Sequence, residues 1–258
     1  MVLPKLIGAS GSSGLLGKAL CKLFASSDVQ VVPINLRSGM HRDEVGERLD
    51  ALIDIGISHF IHLAWPASSS IDYKYSSENE GAGLLTVDTA ELCVEKGLRF
   101  YGLGSAAENH VSETPYSKSK SETRMALQDQ ISDGHITWLR PHYLFDNSSW
   151  PLFLRESCQT GSVVIQDDTR RDFIHIDDVS RGIIVSIENR LVGEVDIASG
   201  KLTRPSELLS ALGLGFSLLQ GQHEVQTEVE AVDISKLLNV SWRPNLTLSI
   251  LEEKHGTQ

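Results

Sequence analysis

Apolar positions along this chain come in short runs separated by amphipathic segments of helical length. Residues 2–10 are mostly apolar, and further strand-like runs follow at Val29–Leu36, Ser58–Trp65, Leu98–Leu103, Ile136–Pro141 and Val192–Ala198. Between them, Lys18–Phe24, 43–56, Ser77–Lys96 and Tyr116–Gln130 read as helices, with Gly97 a stop signal after the third. Arg170–Val179 predicts a short strand leading to a helix near Asp178, and Gly200–Leu212 a turn and a helix. Residues 145–169 carry little regular periodicity and are expected to face a substrate. The last fifty residues hold a strand-like Glu224–Val232, a helix-like Asp233–Leu238 and a final segment, Leu246–Lys254. Strand and helix alternate through most of the chain, so the expected class is α/β.

Composition adds little to this picture, but charge narrows it. The 258 residues suffice for one large α/β domain, with or without a small lobe. A net charge of −11 argues against nucleic acid or an anionic membrane as partner. An anionic ligand would have to be met locally, by arginines and helix N-termini. Cys21, Cys93 and Cys158 are odd in number and far apart, so they read as buried thiols in a reducing compartment, with no disulfide or metal framework. No basic segment precedes the first apolar residues and no run approaches membrane-spanning length; a soluble cytoplasmic protein is expected.

The first run leads into Ser10-Gly11-Ser12-Ser13-Gly14-Leu15-Leu16-Gly17 and then a helix. Strand, glycine turn and helix together suit a pyrophosphate, because the backbone can approach it closely at the positive end of a helix dipole. Two glycine registers exist, Gly8/Gly11/Gly14 and Gly11/Gly14/Gly17; the second starts the helix directly after the last glycine and is preferred. The expected dinucleotide contacts are therefore Gly11, Ser13, Gly14, Leu15, Leu16 and Gly17. At the end of the second run, where an acid would hold the adenosine ribose of NAD, stands Asn35, and Arg37 follows. Arginine accommodates a 2′-phosphate, which favours NADP(H) over NAD.

Tyr116 and Lys120 lie four residues apart at the head of a predicted helix, so phenol and ammonium share one face. An adjacent ammonium would lower the phenol pKa and ready it for proton transfer near neutrality. Ser105, just past an apolar strand, is placed to hold a carbonyl oxygen by hydrogen bond. His62 lies among apolar neighbours and reads as a core histidine. Trp65 is expected to pack on the cofactor or line the substrate pocket.

Taken in order, these pieces resemble the extended short-chain dehydrogenase/reductase family, the sugar-nucleotide epimerase, dehydratase and reductase group. The resemblance is carried by the loop at 10–17, Ile61–Ala64, Tyr116/Lys120, Arg140-Pro141, Arg171–Val179, Val195–Gly200, Asp233–Leu237 and Trp242–Pro244. It implies a Rossmann doubly wound parallel sheet over 1–145 and 170–200, and a small C-terminal substrate lobe over 146–169 and 201–258. It also implies that Ser105 polarises the substrate and Tyr116 acts as acid and base, while Lys120 holds the nicotinamide ribose. Leu63, Ala64, Trp65 and Pro141 would add to the cofactor site, and Trp65, Ser105, Ala106, His142, Tyr143 and Arg171 would meet the substrate. Arg171 suits a nucleotide diphosphate; the alternative is an ion pair with Asp172 or Asp178.

The chain departs from the family in places. Only eleven positions separate Ser105 from Tyr116, the dehydratase acid pair is replaced by Ala106-Ala107, and the Asn expected after Arg-Pro is replaced around His142-Tyr143. The resulting expectation is an NADPH-dependent reductase of a nucleotide-linked keto-deoxysugar, working as a homodimer through the Ser77–Lys96 and Tyr116–Gln130 helices. Alternatives are an NAD-dependent nucleotide-sugar 4-epimerase, a carbonyl reductase of a non-sugar substrate, and a nucleotide-sensing regulator without chemistry.

Overall fold

In the structure, a computed structural model, most of the apolar runs lie side by side as parallel strands. It describes residues 3–66, 71–109, 114–146, 163–165, 167–218 and 231–245. The order is β1 (Leu6–Ser10), α1 (Leu15–Ala25), β2 (Gln30–Ile34), α2 (Arg42–Asp54), β3 (His59–His62), a 3-10 turn (Ile71–Tyr75) and α3 (Glu78–Glu95). Then come β4 (Arg99–Leu103), a second 3-10 turn (Ala106–Asn109), α4 (Pro115–Ala126), α5 (Gln128–Ser132), β5 (Ile136–Pro141) and β6 (Tyr143–Phe145). β7 (Val163–Ile165), β8 (Arg171–His175), α6 (Ile176–Glu188), β9 (Gly193–Ile197), β10 (Leu202–Thr203), α7 (Pro205–Ala211), β11 (Phe216–Leu218) and α8 (Ser235–Asn239) follow.

The chain divides into two compact units, 1–140 with 180–195 and 141–179 with 196–258. The first is built on a six-stranded sheet in the order β2-β1-β3-β4-β5-β9. β1 pairs in parallel with β2 and β3, β3 with β4, and β4 with β5. Parallel strands need helices on their faces, so their residues are buried on both sides: Ile7, Phe60, Phe100, Ile136 and Trp138 are wholly enclosed. Against them pack Val45, Leu49 and Leu52 of α2 and Leu85, Ala90 and Cys93 of α3. Pro33 lies within β2, which the sheet tolerates because β2 is an edge strand. The order reverses at β1, whose neighbours are β2 on one side and β3 on the other. In such sheets the crevice at that point, beyond the carboxyl ends of the strands, is where ligands bind.

The second unit holds β6, β8 and β10 in one small sheet and β7 with β11 in another. Phe145, Phe173, Leu208 and Ala211 form one core there, and Val163, Ile165 and Leu209 another. Asp172 ties β8 to the turn before β10, accepting from Ser199 N and Oγ (2.7 Å each) and Gly200 N (2.8 Å). Because β8 pairs with β6 and β10, 141–145, 170–179 and 196–200 belong to this unit, not to the dinucleotide-binding unit in which the sequence reading put them.

Local signals held to varying degrees. α3 ends on Gly97 at φ +74, with Leu98 N donating to Cys93 O and Gly97 N to Val94 O, the two bonds of a glycine-terminated helix. The helix expected through Gln130 is instead broken at Leu127, a fully buried residue that ends α4 and begins α5. The expected strand at 224–232 lies almost wholly outside the described residues, as does 246–254, while α8 occupies most of the expected helix near 233–238. Among the described residues no helix is long and apolar enough to cross a membrane.

Gly97 isolates the backbone effect, since a Cβ there meets nothing within 4 Å. Gly97→Ala should lower stability by about 1 kcal/mol from the left-handed conformation alone, read as a lower urea midpoint with an unchanged m-value.

Candidate active site

The glycine loop is held by contacts between backbones. Gly11 has φ +69, and a Cβ on it would lie 2.6 Å from Ala64 N and from the Leu63 carbonyl carbon. A Cβ on Gly17 would fall 2.3 Å from Gly11 O, while Gly14 N donates to that oxygen at 3.0 Å. Gly8 instead sits inside β1 against Leu52 and Phe60. The loop is therefore Gly11/Gly14/Gly17, and it lies against Leu63 and Ala64 as the chain leaves β3. α1 starts at Leu15 with no side chain capping its N-terminus and no acid in its first turn. Leu16 turns into the core, whereas Ser13, Gly14 and Leu15 are exposed. An uncapped helix start behind a tightly folded glycine loop fits a dinucleotide pyrophosphate.

Past β2, no acid stands in 30–38. The exposed Arg37 guanidinium lies against the Asn35 carboxamide (3.4 Å). Arg48, paired with Glu44 at 2.8 Å, donates to the Asn35 carbonyl.

Beyond β3, Trp65 donates from Nε1 to Asn79 Oδ1 at 2.8 Å. Asn79 is fully buried and donates onward to Tyr73 O (2.6 Å) and Ser76 O (2.9 Å), which locks the first 3-10 turn beside Trp65. Tyr116 meets both aromatic rings edge-on, at 6.1 Å from Trp65 and 5.3 Å from Tyr73. Its helix starts with Thr114 as cap, accepting from Ser117 N, and Pro115 at the first position. Ser105 lies near enough to Tyr116 to lower its phenol pKa, against the larger effect of burial.

Lys120 is buried, donates to Leu103 O at 2.7 Å and lies 3.5 Å from the centre of the Trp65 ring. Burial pulls its pKa down to about 7, with Glu108 acting in the opposite direction. Burial also pushes the Tyr116 phenol above its ordinary value, reinforced by Tyr73 and opposed by Ser105. The phenol pKa depression expected from Lys120 is thus not found. The ammonium is turned to the end of β4 and the Trp65 face, and desolvation dominates at the phenol.

Behind Ser105 lies a group the sequence reading passed over. The buried Glu108 carboxylate accepts from Ser105 N and from Trp138 Nε1 (3.1 and 3.3 Å), beside Arg140 Nε (3.4 Å). Ala107 N donates to Ser105 Oγ at 3.2 Å. Ser105 and Glu108 thus form a reciprocal cap on the second 3-10 turn, and Ser-x-x-Glu was the signal that could have found it. Ala106 begins that turn and is buried. His62 is a core residue as expected: its Nδ1 meets Ser10 Oγ at 2.9 Å, and burial and Lys120 push its pKa down to about 3.

In the second unit, His142 pairs with Asp196 (3.0 Å) and Arg171 with Asp167. The Arg171 guanidinium also lies 5.5 Å from the Tyr143 ring, so those two candidates are brought together. Asp172, one of the alternative partners expected for Arg171, serves Ser199 and Gly200. Pro141 closes β5 and is buried.

Residues 9–198 match the model of the NAD dependent epimerase/dehydratase family. The chain belongs to that family. It is therefore an enzyme of the extended short-chain dehydrogenase/reductase type. A search of curated proteins returns no match. Among solved structures the family fold recurs in UDP-glucose 4-epimerase from Thermus thermophilus in complex with NAD, at TM-score 0.70 and 14% identity, covering 96% of each chain. RMD from Pseudomonas aeruginosa, complexed with NADPH, gives TM-score 0.70 and 16% identity over 96% of this chain and 97% of that one. UDP-N-acetylglucosamine 4-epimerase from Methanobrevibacter ruminantium, in complex with UDP-N-acetylmuramic acid, gives 0.67 and 18% over 98% and 97%.

The burial of Lys120 has a consequence for this family member's stability. A lysine with pKa about 7 when folded and near 10.5 when unfolded binds fewer protons in the folded state between those values. Its contribution is full above the upper value and is lost as pH falls towards 7. The melting temperature of the dinucleotide-free wild type, relative to Lys120→Met, should rise between pH 7 and 9.5; a flat difference would contradict the buried, charge-penalised amine.

Proposed function

We propose that this enzyme is an NADP(H)-dependent reductase of a nucleotide-linked keto-deoxysugar. The observation that carries the reading is the buried Lys120 anchored on Leu103 O at 2.7 Å, two residues before Ser105, on the helix that sets Tyr116 edge-on to Trp65 and Tyr73. Bound nicotinamide supplies the hydride. Ser105 holds the ketone oxygen, and Tyr116, kept protonated by burial, gives that oxygen its proton. Lys120 donates to the nicotinamide ribose. Gly11, Ser13, Gly14, Leu15, Leu16 and Gly17 hold the pyrophosphate, with Leu63, Ala64 and Trp65 completing the cofactor site. Arg37 receives the 2′-phosphate, a role supported by the lack of any acid in 30–38.

Trp65 and Ala106 contact the sugar nucleotide. Water elimination is disfavoured because Ala106 and Ala107 supply no acid pair and the next carboxylate, Glu108, is wholly enclosed. The NADPH complex of RMD is consistent with reduction on this fold.

Fluorescence titration with NADPH and NADH tests the cofactor reading. NADPH should bind the more tightly, and Arg37→Ala should weaken NADPH about tenfold or more while leaving NADH unchanged. Co-purified NAD, or no discrimination, would move the enzyme to the 4-epimerase reading. In a screen of nucleotide-linked keto-deoxysugars for NADPH oxidation, Tyr116→Phe should cost roughly a hundredfold or more in kcat with dinucleotide affinity intact.

We extend the proposal to a homodimer formed by α3 and α4, which leave Leu84 and Met125 exposed. Light scattering should report a dimer for the wild type and a monomer for Leu84→Glu.

A further inference from the structure

Glu108 is placed as no ordinary surface cap would be. Its carboxylate has no exposed surface and lies with Arg124 (3.6 Å) and Arg140 (3.4 Å), which also share Glu194 at 2.9 and 2.7 Å. Two carboxylates and two guanidiniums thus make a balanced network with the Trp138 indole against it. Such a network is a poor device for stability alone, because desolvating the ions consumes much of what their attraction returns.

What distinguishes it is where it touches the chain. On one side of Gly104 the Leu103 carbonyl receives Lys120; on the other the Ser105 amide donates to Glu108. Gly104 allows this closeness, since a Cβ there would lie 2.3 Å from Glu108 Oε1 and 2.5 Å from Trp138 Nε1. Burial raises the Glu108 pKa, opposed by Arg140 and by the Trp138 and Ser105 hydrogen bonds, and a charge on Glu108 raises the pKa of both Lys120 and Tyr116.

We propose that Glu108 is a positioning residue of the active site: it fixes the Leu103–Ser105 turn, which sets Ser105 beside Tyr116 and presents the Leu103 carbonyl to Lys120. This rests on the reading of Ser105, Tyr116 and Lys120 as the reacting set. The groups facing Glu108 are Tyr116, Lys120 and Arg124 from α4, and Arg140 with Trp138 from β5; Glu194 of β9 lies behind the two arginines. Lys120 also feels His62 of β3, which is neutral near pH 7.

The test is a ¹³C NMR titration of the Lys120 ε-carbon in the full, dinucleotide-free chain, assigned by its loss in Lys120→Met. Glu108→Gln should lower the Lys120 midpoint by about one pH unit, a tenfold weaker hold on the proton. The Ser105 amide proton should move upfield as its acceptor loses charge. Arg124→Gln disturbs the same network but keeps the carboxylate, so the Lys120 midpoint should stay or rise while stability falls. Glu108→Asp, which retains the charge, should restore most of the midpoint. If Glu108→Gln does not fold, Glu108→Gln with Arg124→Gln keeps the network balanced and is titrated in its place.

A Lys120 midpoint unmoved by Glu108→Gln, or moved alike by Glu108→Gln and Arg124→Gln, would reduce Glu108 to a structural cap. The titration uses neither substrate nor cofactor. Failure of the positioning role is therefore seen apart from failure of the reductase reading, which the dinucleotide titration reports.

Discussion

The first unit is organised around one buried cation. Lys120 is almost wholly enclosed, donates to the last carbonyl of β4 and lies on the face of Trp65 just past β3. A charge withdrawn from water to this degree is penalised, and the surroundings offset only part of the penalty, so that its pKa falls to about 7. Leu103 gives a carbonyl dipole, Trp65 the negative face of its ring, and Glu108 a carboxylate. His62, close enough to be affected, stays neutral. Helix α4 is thereby tied to the carboxyl ends of two strands at once. That tie puts Tyr116, one turn earlier on the same helix, against Ser105.

The same edge of the sheet carries the second constraint. At Gly11 and Gly17 the loop after β1 touches itself and the exit of β3, backbone to backbone, at distances no side chain could occupy. Because β1 and β3 are adjacent across the point where strand order reverses, this contact sets the loop and Trp65 side by side. The helix start is left without a side-chain cap, a cost to an isolated helix that a bound anion would remove.

How much of this was legible depended on the reach of each interaction. Gly11, Gly14 and Gly17 could be read because a close backbone approach admits only one residue type, and Tyr116 with Lys120 because helical spacing fixes a shared face. Gly97 was legible for a similar reason, being a local conformation with a residue signature. The break at Leu127 was not, since it follows from how Leu127 and Ile131 both reach the core, which no local pattern records. Nor were Asn79 and Tyr73, whose parts depend on a tertiary contact with Trp65 and Tyr116. The boundary between the units was misplaced because the pairing of β8 with β6 and β10 joins segments distant in sequence.

The phenol shows why a correct pairing in sequence can mislead about chemistry. Spacing established that Tyr116 and Lys120 share a face, and from there it is a short step to an ammonium stabilising a phenolate. That step assumes the two groups point at each other, whereas the ammonium is held by Leu103 and Trp65, and the phenol is governed by burial and by Tyr73. A phenol raised in pKa is a poor base but remains a proton carrier at neutral pH. In this arrangement Ser105 and Glu108 moderate the site from opposite ends: one lowers the phenol pKa, and the other holds that serine by its amide while its charge raises the pKa of the amine.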